Sequence, residues 1–452
     1  MTALPPPEPF AVTHRGVFAI ALPMTLAYLT TPLVGIVSLG VIGRLGEPAL
    51  VGGVSIGGVI FDIVFLTFNF LRAGTTGLVA QALGAGDRRA IAATLYRALA
   101  LAIGFGSAVI VLQLPIVITI AQQLIGGSEA VKAATRTYWD VRVLAAPLAL
   151  ANYVVLGWLI GLGRAGFGLC LQIVLNGINI VLGIVPVHGL GFGVAGVGWA
   201  SVTAEASAAA LGVIFIFALT ARADRPRLAE VFNGAAFGRL VALNRDIMIR
   251  TFALLFAFAV FTSRSAAAGD VVLAANEILM NLIVFAAFFL DGLAAAAEQL
   301  AGRAIGARDR PSFERAVRLT VLWGFAVGAV LTIVMLAAGG AIVDLMSTSL
   351  PVRAAARNVL VWAALFPLFG TLAYQMDGVF IGATWSVDMR NAMLVSLGVY
   401  LVAGWLLAMP LGITGWWIAL LVFLATRGLT LLWRSRVRIG PAFAGQPAAP
   451  AP

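Results

Sequence analysis

Apolar residues run through this chain in long unbroken blocks instead of alternating with polar ones. Twelve blocks of about twenty residues or more can be marked: 17–42, 50–83, 93–124, 135–162, 167–187, 194–220, 247–268, 272–305, 317–345, 356–384, 392–410 and 413–433. A helix needs roughly 20 apolar residues to cross a bilayer. Hydrocarbon offers the backbone no hydrogen-bond partners, so each crossing must satisfy its own N–H and C=O groups as a helix. The expected fold class is therefore all-α integral membrane, with twelve transmembrane helices. The first block follows a Pro-rich polar segment, Pro5 to His14, and lacks a small-residue cleavage site. It reads as a first span and not as a signal peptide.

The longest polar break, Arg222 to Asp246, lies near the middle of the chain. It suggests a tail over 1–16, a first half over 17–221 with spans 1–6, a linker over 222–246, a second half over 247–435 with spans 7–12, and a tail over 436–452. The halves resemble each other. Ala82-Leu-Gly-Ala-Gly-Asp87-Arg88 after span 2 recurs as Ala304-Ile-Gly-Ala-Arg-Asp309-Arg310 after span 8, at an offset of 222. Leu156-Gly157-Trp-Leu-Ile160-Gly161 matches Asp377-Gly378-Val-Phe-Ile381-Gly382 at 221, and Gly196-Val-Gly-Trp-Ala matches Gly415-Trp-Trp-Ile-Ala at 219. With six helices per copy, both copies enter the membrane from one side. This predicts two pseudo-symmetric six-helix bundles, an N-lobe and a C-lobe, around a central cleft.

Composition narrows the function classes. Of 452 residues, 61% are hydrophobic and 11% charged, and the mean hydropathy is +1.03. Soluble domains carry about 25% charged residues, so a soluble enzyme, a disordered chain and a fibrous repeat are excluded. The single cysteine, Cys170, rules out disulfides within the chain and cysteine-based metal sites. A net charge of +10 would suggest nucleic acid in a soluble domain. Here eighteen basic residues fall at the termini and after even-numbered spans, against six in the other loops. That asymmetry places both termini in the cytoplasm, and no nucleic-acid partner is expected. There is no P-loop pattern, and His14 and His188 lie far apart outside the core of the spans. Neither ATP hydrolysis nor another enzyme activity is expected.

The segments Gly35-Ile-Val-Ser38-Leu-Gly-Val-Ile-Gly43, Gly52-Gly-Val-Ser-Ile-Gly57, Phe70-Leu-Arg72-Ala-Gly74-Thr75-Thr76-Gly77 and Ala80-Gln-Ala-Leu-Gly-Ala85 resemble the N-lobe of MATE (multidrug and toxic compound extrusion) transporters. Asn244-Arg-Asp246-Ile-Met-Ile-Arg250, Leu290-Asp291-Gly292 with Glu298, Gly306-Ala-Arg-Asp309, and Met376-Asp377-Gly-Val-Phe-Ile-Gly-Ala-Thr384 with Met389-Arg-Asn391 are similar to the C-lobe, and most of all to the DinF-like branch. The resemblance spans about residues 15–435. It implies an antiporter in a bacterial inner membrane that exports amphipathic or cationic compounds against protons or sodium, by alternating access. No cofactor is implied; the coupling ion is cargo. The partners are a small-molecule substrate and the lipid bilayer, and one chain supplies both lobes, so a monomer is expected. Many prokaryotic relatives carry an acid where this chain has Ser38, and a second acid four residues after an asparagine in span 5. Here Asn179 is followed at that distance by Gly183. Gln172, Asn176 and Asn179 remain as neutral groups able to hydrogen-bond a ligand. Without those two carboxylates, protons are favoured over sodium.

Ionisable groups at bilayer depth are costly unless paired or facing water, which makes each a candidate for function. Asp377, deep in span 10 beside Tyr374 and Gln375, ranks first. Pro367 and Gly378 are expected to break its helix and bare carbonyl oxygens. Asp291, mid-span 8, is expected either to face Asp377 or to pair with Arg250 or Arg264 of span 7. Two carboxylates sharing a cavity suit proton exchange. Glu298 lies two turns along the same face. Glu277 sits near the outer end of span 8 with Asn276 and Asn281. Glu205 in span 6 and Asp62 in span 2 are the remaining acids of the first half, with Arg72 able to neutralise either. If the N-lobe couples ions, one of the two acids has replaced the missing pair. Asp87 and Asp309 read as loop structure, and Asp140 with Arg142 as a local pair. Phe61, Phe65, Phe68, Phe70, Tyr153, Phe285, Phe288 and Tyr374 can line a cavity for apolar cations. Trp416 and Trp417 read as belt residues at the outer interface, and Pro23 and Pro32 as kink points of span 1. A second reading, a flippase for lipids or lipid-linked saccharides, would want cavity arginines. Arg72, Arg97, Arg250 and Arg264 are the candidates at depth. A membrane-embedded enzyme is a third, disfavoured by the absence of a histidine, metal or nucleophile cluster.

Overall fold

A computed structural model of the chain describes residues 10–44, 47–112, 128–189 and 192–444. The start of the Pro-rich segment, the far part of the third block (113–124), the side chain of His188 and the last eight residues lie outside them. Among the described residues there is no strand. Twelve stretches are long and apolar enough to cross a membrane: His14–Gly43, Pro48–Gly84, Arg88–Leu112, Glu129–Gly161, Ala165–Ile184, Gly193–Leu219, Gly234–Ala267, Asp270–Gly306, Arg310–Met346, Leu350–Gly382, Ser386–Leu411 and Ile413–Ala442. The all-α, twelve-span reading stands.

Several boundaries differ from the sequence expectation. The seventh helix begins at Gly234, inside the expected linker. Leu240, Leu243 and Ile247 recur at helical spacing and are buried, so this polar-looking stretch is amphipathic and gains by helix formation. The twelfth helix runs on to Ala442, past the expected start of the C-terminal tail. The tenth span is one helix, Leu350–Gly382, passing through Pro367 and Gly378 without a break. The missing proline N–H is tolerated because the helix is packed along its length by the eighth, ninth and twelfth spans. Breaks are found instead in the second span, between helices Pro48–Thr67 and Phe70–Gly84, and in the first, where helix His14–Leu29 ends and helix Thr31–Gly43 begins. Pro32, in the first turn of the second helix, has no N–H to continue the ladder. The Thr30 hydroxyl donates to the Ala27 carbonyl (2.7 Å) at the joint. Pro23 lies inside the first helix.

By contacts the chain divides into two compact units. One comprises Leu26–Val79 and Asp87–Val241; the other holds Ala242 onward together with Pro9–Thr25 and Ala80–Gly86. The division therefore cuts through the first two spans as well as near the central loop. In the first unit a cluster forms around Ile42, Val54, Tyr138 and Val197. The core of the second is aromatic, with Phe261 meeting Trp417 edge-on at 4.7 Å between centroids. Trp416 and Trp417 are 7% and 0% exposed, so they are interior residues and not an interfacial belt. A buried indole N–H needs an acceptor. Trp417 has one in Asn276 Oδ1 (3.1 Å), and Asn276 Nδ2 in turn donates to Ser265 Oγ (2.7 Å).

Within the second unit the two copies of the Gly-Ala repeat meet. A methyl group added to Gly84 would overlap the Arg303 carbonyl oxygen, and one added to Gly306 would overlap the Gln81 carbonyl oxygen. Arg303 and Gly306 are the positions of Gln81 and Gly84 shifted by the repeat offset of 222, so the contact is reciprocal. Gln81 Nε2 adds hydrogen bonds to the Gly382 carbonyl (2.8 Å) and to Thr384 Oγ1 (3.1 Å).

Candidate functional site

In the second unit the charges converge on Asp377. It is 4% exposed, as deep as Arg427 of the twelfth span at 3%. Arg427 Nε donates to Asp377 Oδ1 (3.2 Å), and both Arg427 and Arg250 form ion pairs with Oδ2. The carboxylate is thus clamped between two guanidinium groups. Arg250, offered by sequence as a partner for Asp291, forms an ion pair with Asp377, and the tenth helix runs on without the expected break. Asp291 is half-buried and belongs to the same electrostatic neighbourhood, together with Tyr374, Arg427 and Arg250. Tyr374 is half-buried, and Gln375 donates to the Leu290 carbonyl (3.3 Å). Glu298 is buried at 3% exposure, whereas Glu277 is exposed, and Asn281 Nδ2 reaches the Glu277 main-chain carbonyl (2.9 Å). Arg264 pairs with neither acid in a bridge; its guanidinium lies over Trp416, 5.4 Å from the ring centre.

The motif residues nearer the polar end of this unit make ion networks of their own. Asp246, 1% exposed, accepts from Arg390 (2.8 Å) and Ser386 (3.0 Å). Asp388 accepts from Arg434 and Arg438. Asp87 and Asp309 cap helices, each accepting a main-chain N–H three residues on, from Ala90 (2.8 Å) and Ser312 (3.0 Å). This is the loop role expected of them.

In the first unit the acids are set differently. Glu205 is half-buried, and its Oε2 accepts from Asn152 Nδ2 at 2.7 Å. The same amide group also donates to the Glu205 main-chain carbonyl (3.0 Å). Asp62 is exposed on the second span. Arg142 is the cation whose field reaches both acids, yet it bridges neither. It donates to the Tyr138 hydroxyl and lies 3.7 Å over the centre of the Phe61 ring. The expected Asp140–Arg142 pair is absent, because Asp140 faces Arg136 one turn earlier (3.7 Å). Arg72 Nε donates to Asn69 Oδ1 (3.1 Å). Phe61 stacks on Phe65 at 3.8 Å, and Phe68 bridges Phe65 and Phe70. Three of these four rings are buried, so they pack as a ladder. Phe285, in contrast, is 53% exposed.

The neutral groups of the fifth span link it to its neighbours. Asn176 Nδ2 donates to Thr30 Oγ1 (2.5 Å), at the break in the first span, and Asn179 Nδ2 to Ser201 Oγ (3.2 Å). Gln172 and Ser38 are half-buried. The arginines offered for an anionic lipid are engaged elsewhere: Arg97 donates to the Val231 and Glu230 carbonyls (2.9 and 2.8 Å) and Arg250 to Asp377.

Sequence reasoning passed over two residues, Arg427 and Asn152. Each is a lone polar group inside an apolar block, which is itself the signal. What the sequence does not carry is which acid each one meets.

The MatE family model matches residues 23–185 and 247–407, once in each half, in accord with the internal repeat. The chain is 39% identical over 436 residues to DNA damage-inducible protein F of Escherichia coli K12, covering 96% of this chain and 94% of that one. It is 26% identical to the probable multidrug resistance protein NorM of Agrobacterium fabrum, covering 93% of each. A crystal structure of MATE in a bent conformation shares the fold, with a TM-score of 0.86 over 95% of this chain and 96% of that one at 18% identity. A twice-matched family model, a DinF relative aligned over nearly its whole length and twelve apolar helices together show that this multi-pass membrane protein belongs to the MatE family of multidrug and toxic compound efflux transporters.

Proposed function

We propose that this protein is a proton-coupled antiporter of a bacterial inner membrane, with both termini cytoplasmic. It exports amphipathic or cationic compounds by alternating access between its two bundles and works as a monomer. The observation that supports proton coupling is the presence of carboxylates within apolar helices, Glu205 and Asp291 among them, at positions where a charge is justified only by a task or a partner. An exporter that trades protons for cationic cargo needs such a group, able to hold either a proton or a negative charge. The engaged state of Arg97 and Arg250 speaks against a site for an anionic lipid headgroup.

The test uses purified protein in proteoliposomes with ethidium as cargo. A pH gradient, imposed with sodium absent, should drive ethidium against its own gradient, and a sodium gradient at uniform pH should not. Ethidium movement indifferent to the pH gradient would overturn the proposal.

A further inference from the structure

The acids of this protein fall into two chemical settings. Asp377, Asp246 and Asp388 each meet two arginines. Protonating Asp377 would leave the buried Arg427 guanidinium without this counter-charge, which costs several kcal/mol; Asp246 and Asp388 hold more exposed arginines. The three acids are counter-ions. Among the described residues no arginine is in hydrogen-bond contact with Glu205; its side-chain partner is the carboxamide of Asn152.

A carboxamide differs from a guanidinium in that it can both donate and accept. Asn152 uses only half of this capacity. Nδ2 donates twice, to Glu205 Oε2 and to the Glu205 main-chain carbonyl. Its Oδ1 is fully buried, on a residue only 4% exposed, and has no hydrogen-bond partner among the described residues. A buried acceptor left empty costs about 1–3 kcal/mol. Any donor can fill it, and the carboxylate beside it gains an O–H donor on protonation. A protonated Glu205 can close an acid–amide pair with Asn152, with N–H donating to one carboxyl oxygen and the acid O–H donating to Oδ1. The deprotonated form keeps the N–H bond and leaves Oδ1 empty.

We propose that the Glu205–Asn152 pair is the proton-binding site of this transporter, Glu205 carrying the proton and Asn152 accepting a hydrogen bond from it. This rests on the proposed proton coupling and names the residue that performs it. The proton adds to a carboxylate oxygen and leaves from it, with no other bond made or broken. The charged and titratable groups around the pair are Arg142 and Tyr153 of the fourth span, Asp62 of the second and, further off, Arg72. Arg142 is occupied by Tyr138 and by the Phe61 ring and does not bridge the carboxylate. The fifth span, packed along the sixth, contributes the neutral Gln172, Asn176 and Asn179 and the exposed Cys170. The pair lies wholly within the first unit, the half in which Ser38 and Gly183 stand.

Acid-minus-base infrared difference spectra of the reconstituted protein should show a carboxylic-acid carbonyl band that appears on acidification. Glu205→Gln should remove this band, Glu205→Asp should keep it, and Asn152→Leu should move it to higher frequency by deleting the hydrogen bond. In proteoliposomes Glu205→Gln should lower pH-driven ethidium transport at least tenfold, whereas Glu205→Asp retains measurable coupling. A band that survives Glu205→Gln, or coupling at wild-type rate in that variant, overturns the assignment. A wild type that shows the band at Glu205 but moves no ethidium under a pH gradient leaves the proton site in place and removes the antiport reading instead. Asp62→Asn serves as the second variant, and loss of the band there with retention in Glu205→Gln would move the site to Asp62.

Discussion

Replacing Arg427 by Gln isolates the clamp on Asp377. The side chain that is lost is 3% exposed and faces a carboxylate on a residue 4% exposed, so little water screens the pair. Removing one partner of a buried ion pair costs about 3–5 kcal/mol, because the other charge is left uncompensated. Arg250 still holds Asp377 Oδ2, which places Arg427→Gln near the lower end, about 3 kcal/mol. Asp377→Asn takes the counter-charge from both guanidinium groups and belongs at the upper end, about 5 kcal/mol. For a cooperative unit of some two hundred residues, each kcal/mol moves the melting temperature by roughly 2–4 °C. In detergent micelles the two variants should therefore melt roughly 6–12 °C and 10–20 °C below the wild type. The double variant should be more stable than the sum of the single losses, since in contact pairs the second change removes a charge that the first had stranded. The fraction of Asp377→Asn that folds should keep its dependence on the pH gradient, because the proton resides on Glu205. Melting unchanged in both single variants would refute the clamp; normal folding with lost coupling in Asp377→Asn would make Asp377 the carrier and not a counter-ion.

Three further outcomes follow from the same geometry. Trp417→Phe leaves Asn276 Oδ1 buried without its donor, a loss of about 1–3 kcal/mol that thermal unfolding should register, while Trp433→Phe, at a 61% exposed site, should change stability little. Gly84→Val and Gly306→Val each force one side of the reciprocal contact apart at a cost of about 1–3 kcal/mol; the double variant should cost less than the sum, because one separation relieves both overlaps, and strict additivity in melting temperature would count against reciprocity. In a Cys170→Ala background, Arg310→Cys should react with a membrane-impermeant maleimide only from the cytoplasmic side and Ser349→Cys only from outside; the opposite pattern would reverse the assigned orientation.

The spans were legible because the bilayer imposes a length and a composition that leave few alternatives. Misreadings came where side-chain pairing, not hydropathy, decides. The stretch 234–246 is polar on average, and only the periodic burial of Leu240, Leu243 and Ile247 makes it helix. Proline is a poor guide to breaks in a packed span: Pro367 lies within an unbroken helix, whereas Pro32 marks a real joint where Thr30 carries the chain between two helices. Tryptophans near a block end suggest an interface, but Trp417 found its acceptor in Asn276 and went inside. Intramembrane acids were visible as a set, and their ranking was not. Asp377 stands out by depth and by its neighbours in sequence, and its two arginines come from spans far away in the chain, 127 and 50 residues off.

That difference between depth and chemistry bears on where the proposed proton site lies. A proton carrier needs a neighbour that welcomes both of its states, and arginine welcomes only one. In the second unit six arginines meet Asp377, Asp246 and Asp388, which fastens spans 7, 10, 11 and 12 to one another and makes these three acids structural. In the first unit Arg142 lies over an aromatic ring and bridges neither Glu205 nor Asp62. It leaves Glu205 with a carboxamide whose oxygen is still open. The proposed proton site thus sits on an acid that no arginine bridges among the described residues, and stiffness on acids that two arginines hold. A change that supplied Glu205 with a permanent cation, such as Asn152→Lys, should abolish proton-driven transport while leaving the fold intact, as the arginines do for Asp377.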